Sequence, residues 1–171
     1  MPGLSMSIPQ KVRASTAVKH QQHYAGAVAV NTLPRLVEAL AGGDGELQVD
    51  LLAWKSAGYP ALTGTVGGTV MLNCRRCGQA YASPLDLKVD LRLVQSEEEE
   101  ARLWKDCEPY WVQDDTLLLR EVVEDEVLLA LPMLPRCDSC ENIASAAPDT
   151  GRAEQARREK QNPFADLKKL M

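Results

Sequence analysis

Leu85-Asp86-Leu87-Lys88-Val89-Asp90-Leu91-Arg92-Leu93 alternates apolar and charged residues without a break. A period of two puts Leu85, Leu87, Val89, Leu91 and Leu93 on one face of a strand and the charges on the other. Upstream, Leu62 to Asn73 is rich in Thr, Val and Gly. It reads as a second strand, with Gly64, Gly67 and Gly68 expected at bulges or a bend. Between the two lies Cys74-Arg75-Arg76-Cys77-Gly78. The chain must reverse there, and Gly78 supplies the positive φ that a tight reversal needs. The centre of the protein is therefore expected to be a β-hairpin with a cysteine-bearing tip.

The N-terminal side adds shorter elements. Leu47, Val49 and Leu51 form a half-buried strand, His23 to Val30 a weaker one, and Gly58-Tyr59-Pro60 a turn or loop. A helix is expected from Pro34 to about Leu40, capped by Asn31 or Thr32 and ended by Gly42-Gly43. Met1 to His20 is polar and broken. On the C-terminal side, Glu97 to Glu100 reads as a solvated loop or first helical turn, and Trp104, Tyr110 and Trp111 as lying over the sheet. Asp114-Asp115-Thr116 offers caps for a helix from Leu117 to Leu131. That helix carries Leu118, Leu119, Val122, Val123, Val127 and Ala130 inward, with Glu121, Glu124, Asp125 and Leu128 outward. Pro132 ends it. The fold class is α+β, an antiparallel sheet packed with a long C-terminal helix. A polar segment 1–20, a single domain 21–143 and a flexible charged tail 144–171 are expected.

A second pair, Cys137-Asp138-Ser139-Cys140, repeats the spacing of the first, and Cys107 is the one remaining cysteine. Two C-x-x-C pairs can supply four thiolates to one tetrahedral zinc ion, a closed structural site that stabilises without catalysing. Cys74, Cys77, Cys137 and Cys140 are thus the candidate metal ligands. The 59 residues between Cys77 and Cys137 exceed the roughly 15–20 of a compact zinc ribbon. Two unrelated thiol pairs therefore stay open as an alternative, as does a redox pair. A redox pair should open a helix, whereas Cys74 ends a strand. Pro135-Arg136-Cys137-Asp138-Ser139-Cys140 resembles half of a zinc deaminase signature, but neither His20 nor His23 supplies the His-x-Glu half.

With 171 residues, 45% of them hydrophobic, the chain can build one real core. No apolar run is long enough to span a bilayer, and Met1 to Val18 lacks the continuous apolar stretch of a secretory signal. Reduced thiols in the cytoplasm are expected, which favours metal over disulfide. A net charge of −5 and a pI near 5.1 exclude a protein whose whole surface binds nucleic acid. RNA contact would need a local basic patch, and Arg75 and Arg76 at the hairpin tip are its candidates. The tail adds Arg152, Arg157, Arg158, Lys160, Lys168 and Lys169 against Asp149, Glu154, Glu159 and Asp166. Gly64-Thr65-Val66-Gly67-Gly68 lacks the Lys-Ser/Thr of a phosphate loop. No Ser-His-Asp or Cys-His constellation can be assembled, and nothing points to a small-molecule substrate.

Three segments together resemble the YceD family, bacterial proteins described as large ribosomal RNA subunit accumulation proteins. They are Leu72-Asn73-Cys74-Arg75-Arg76-Cys77-Gly78, the helix and exit from Val122 to Pro132, and Asn162-Pro163-Phe164-Ala165-Asp166-Leu167. The match is good from about Val70 onward and loose before it. Some relatives carry a histidine-containing segment after the proline exit, where this chain has Cys137 and Cys140. The resemblance implies a cytoplasmic, non-enzymatic ribosome-biogenesis factor supporting synthesis, processing or stability of 23S ribosomal RNA. Its partners would be precursor ribosomal RNA, or ribosomal and RNA-processing proteins. The rival reading is an adaptor that binds a basic ribosomal protein or RNA-processing enzyme on its acidic surface, without touching RNA.

Overall fold

A computed structural model describes residues 7–144. The tail and its Asn162-Pro163-Phe164-Ala165 motif lie outside the described residues. The chain forms a main body ending at Pro135 and a second unit from Arg136.

The expected hairpin is the spine of the body. Strands β4 (Tyr59–Asn73) and β5 (Ala80–Val94) each run fifteen residues and pair antiparallel from Ala61↔Arg92 to Asn73↔Ala80. With β2 (His23–Ala29), β3 (Glu46–Ser56) and β6 (Glu108–Trp111) they form a five-stranded sheet, in the order β2-β3-β4-β5-β6. The sheet is not wholly antiparallel as expected, because β6 runs parallel to β5. Helix α3 (Glu97–Leu103) makes the crossover between them, so the chain returns to the same edge in the same direction.

The glycines of β4 are not bulges. Register with β3 is one-to-one, with Leu51↔Gly64 and Leu47↔Gly68. A Cβ on Gly64 would stand 1.9 Å from the carbonyl oxygen of Asp50. Glycine is there because two backbones pass too close for any side chain. The turn before β4 is tighter than expected. Ala57 (φ 52°) and Gly58 (φ 88°) alone join Ser56 to Tyr59, the two-residue reversal in which both central φ values are positive.

One face of the sheet carries the core. Leu47, Val49, Leu51 and Ala53 of β3, and Leu62, Val66, Val70 and Leu72 of β4, are buried against helical elements. Residues 7–19, within the stretch expected to be polar and broken, contribute to this layer. Strand β1 (Val12–Arg13) pairs with β7 (Thr116–Leu117), and helix α1 (Ala14–Lys19) buries Ala14, Ala17 and Val18. Three small apolar residues at i, i+3 and i+4 make a stripe too short to stand out in sequence.

Helix α2 (Pro34–Ala39) begins at the expected proline. The expected Leu117–Leu131 helix is α4 (Leu119–Ala130), twelve residues packed on α2 and β5. It is three turns long and does not close the described chain, since the seven-residue α5 (Asp138–Ala144) follows. Ala130, assigned to its inner face, is exposed, and Glu124, assigned to its outer face, is only 3% exposed. Trp104 and Trp111 do not cover the sheet. Trp104 is exposed after α3, and Trp111 sits in the edge strand β6.

Candidate metal centre and its surroundings

Strand β4 delivers Cys74 to the hairpin tip. Its N–H donates to the carbonyl of Gln79 and its own carbonyl accepts the N–H of Gly78, both at 2.9 Å. Gly78 takes the expected positive φ of 74°. This closed loop holds the backbone of Cys74 while Arg75, Arg76 and Cys77 stay exposed. The N–H of Arg75 donates to the carbonyl of Pro135 at 2.8 Å, so the exit from α4 passes beside the tip. Two residues on, the carbonyl of Cys137 accepts the N–H groups of Cys140 and Glu141 at 2.9 and 3.0 Å, the first turn of α5. One C-x-x-C thus sits on a hairpin turn and the other on a helix start, two backbones that bring sulfurs three residues apart onto one side.

The sulfurs of Cys74, Cys77, Cys137 and Cys140 all lie within 4.8 Å of one another. Zinc–sulfur bonds of about 2.3 Å in a tetrahedron set sulfurs about 3.8 Å apart, so a small closure suffices for ligation. The donor set fits a thiophilic ion, and Cys74 and Cys140 are buried as closed-site ligands are. Four thiolates would leave no coordination position for an activated water.

Glu124 is a residue that sequence reasoning placed wrongly. Its Oε1 accepts the N–H of Leu36 at 3.0 Å, and its Oε2 accepts Arg35 Nε at 3.0 Å and pairs with Nη2 at 2.9 Å. Arg35 Nη1 reaches Asp125 at 2.7 Å. Hydrogen bonds to Asp125 and then Glu124 hold the guanidinium proton more firmly than usual. Leu33, which precedes α2, has no capping side chain, and Thr32 bonds back to Ala29 instead. A carboxylate on α4 therefore caps α2. The signal in sequence was an acid on the flank of the α4 apolar stripe, next to Val123.

The same device recurs at α1. Asp115, expected to cap α4, instead accepts the N–H of Ser15 at 2.7 Å on its carboxylate and the N–H of Ala14 at 2.9 Å on its carbonyl. Hydrogen bonds from the Ser15 hydroxyl and N–H hold its carboxyl below the usual aspartate range. Asp114 and Asp115 both have positive φ, a turn conformation these residues tolerate. Elsewhere on α4, burial and then the charges of Glu108 and Asp125 push the Glu126 carboxyl up.

Fold and site together define a class: a small mixed α+β protein with a group of four cysteines close enough together to hold a metal ion. The chain belongs to the family described as "Large ribosomal RNA subunit accumulation protein YceD", whose model matches residues 62–171. A relative of that name from Haemophilus influenzae is 28% identical over 169 residues, covering 96% of this chain and 97% of the relative. No solved structure matches the chain. No helix among the described residues is long and apolar enough to cross a membrane.

Proposed function

We propose that this chain is a non-enzymatic ribosome-biogenesis factor, acting in the cytoplasm to support synthesis, processing or stability of large-subunit ribosomal RNA. The observation that carries this reading is the likeness to a relative so named along nearly the whole of both chains. In it, Cys74, Cys77, Cys137 and Cys140 hold a structural zinc ion that fixes the hairpin tip. Exposed Arg75 and Arg76 on that tip meet RNA phosphates. The tip suits this role because ligation of its two cysteines would hold the arginines between them at little entropic cost.

Depletion of the protein is expected to lower 23S relative to 16S ribosomal RNA, and an unchanged ratio would sink the reading. In purified form, Arg75→Ala with Arg76→Ala should lower the salt slope of RNA binding by about 0.7–0.9 for each phosphate the arginines neutralise. An adaptor reading is favoured by one observation: besides burial, the charges of Glu108 and Asp125 act on the Glu126 carboxyl and raise it. A basic protein segment would relieve that repulsion. Under this reading the arginine changes leave ribosomal RNA levels untouched, while charge reversal at Glu108 and Glu126 lowers them.

A further inference from the structure

A cleft of about 610 Å³ opens at the end of the sheet remote from the cysteines, between α1, the β3–β4 turn and the start of α3. Its floor is apolar, formed by buried Val18 and Leu93 with the half-buried ring of Pro60. Two ammonium groups stand at its rim, Lys19 from the last turn of α1 and Lys55 from the end of β3. Neither has an ion-pair partner among the described residues. Two carboxamides, Gln21 and Gln95, also line the cleft, and their side chains make no hydrogen bond among the described residues. The other polar groups are engaged: the Ser15 hydroxyl donates to Asp115, and Glu99 Oε2 accepts the N–H of Gln95 at 2.9 Å.

The cleft therefore offers an apolar slot, paired unspent cations and two groups that can each donate and accept. That is the chemistry of a nucleoside phosphate: a flat base, an anion, and an edge with donors and acceptors side by side. Lys19 and Lys55 bring two positive charges to the cleft against the one carboxylate, Glu99, that lines it. We propose that this cleft binds a nucleoside phosphate. The phosphate lies between Lys19 and Lys55, the base rests on Val18, Pro60 and Leu93, and Gln21 and Gln95 read its edge. The source is an unpaired nucleotide of an RNA chain, which rests on the functional reading above, or a free nucleotide. Pro60 and Asn73 are thirteen residues apart along β4, roughly 43 Å of extended strand. A single RNA could touch the cleft and the arginine tip only by running the length of the hairpin.

The test uses the full chain, a labelled ten-nucleotide single-stranded RNA, and adenosine monophosphate as the free-nucleotide probe. In methyl spectra, both ligands should shift the signals of Val18 and Leu93. Lys19→Gln with Lys55→Gln should weaken RNA binding about tenfold and lower its salt slope by about 0.7, the value for the one phosphate of a single strand that the two lysines share. Both lysines are exposed, so Tm serves as the folding control and should not move. RNA binding that the lysine pair leaves intact and the Arg75/Arg76 pair abolishes would overturn the cleft and keep the RNA reading. Adenosine monophosphate shifting the cleft methyls, with no RNA bound, would keep the cleft and discard the RNA reading. Failure of both ligands to perturb Val18 and Leu93 would overturn the proposal.

Discussion

Replacing Glu124 with alanine tests whether a carboxylate on α4 caps α2. The substitution leaves the Leu36 N–H without its acceptor in a buried setting. An orphaned buried donor costs about 1–3 kcal/mol, which overlaps the about 0.5–2 kcal/mol of a missing helix cap. The ion pair with Arg35 adds little, because that side chain is 52% exposed and keeps Asp125 as a partner. The expected loss is about 2 kcal/mol, a fall in Tm of about 4–8 °C for a chain of this size. Glu124→Gln keeps an oxygen for Leu36 and removes only the charge, so about 1 kcal/mol is expected. Urea unfolding followed by far-UV circular dichroism separates the variants, and an unchanged m-value would show that the unfolded state is not responsible. If alanine costs less than about 0.5 kcal/mol, the level of an ordinary surface change, or if glutamine costs as much as alanine, the capping argument is wrong.

Three further outcomes are expected. Cys74→Ser should remove zinc, from about one ion per chain, and lower Tm by about 10 °C or more, because binding free energy of a structural ion is folding free energy; elemental analysis and calorimetry on the same sample check it. Gly64→Ala should cost more than about 3 kcal/mol or prevent folding, since its Cβ would meet the Asp50 carbonyl at 1.9 Å; alanine at Gly42, where a Cβ meets nothing within 4 Å, is the control in expression and thermal melts. Burial and like charge raise the Glu126 carboxyl in the folded state, so the native protein holds that proton more tightly than the unfolded chain and loses stability as pH rises from the ordinary glutamate range through the raised value. Glu126→Gln should therefore stabilise more at pH 7 than at pH 4, and melts showing the reverse would contradict that sign.

Much of the site was legible in the sequence. C-x-x-C spacing, an alternating strand on one side and a proline exit on the other marked the two cysteine pairs, and the hairpin tip with Gly78 lies where they put it. The long gap between pairs left their meeting open, because loop length says nothing about which segments become neighbours. Of the bulges or bend expected at Gly64, Gly67 and Gly68, the bulges are absent for a related reason. Glycine in a strand marks either a bulge or a close backbone approach, and only the partner strand tells which. The parallel placement of β6 was hidden too, since a strand of four residues carries no sign of its neighbour's direction.

The capping of the two N-terminal helices divides the two kinds of information most sharply. Local pattern fixed that a helix starts near Pro34, from the proline and the apolar spacing behind it. It could not fix what satisfies the first N–H groups of that helix or of α1. Those donors are met by Glu124 and Asp115, acids 88 and 100 residues away in sequence. A periodic pattern reports on each element's own buried face, because neighbours along the chain share it. A hydrogen bond between elements depends on where packing sets two helix ends, and that placement exists only once the core has closed.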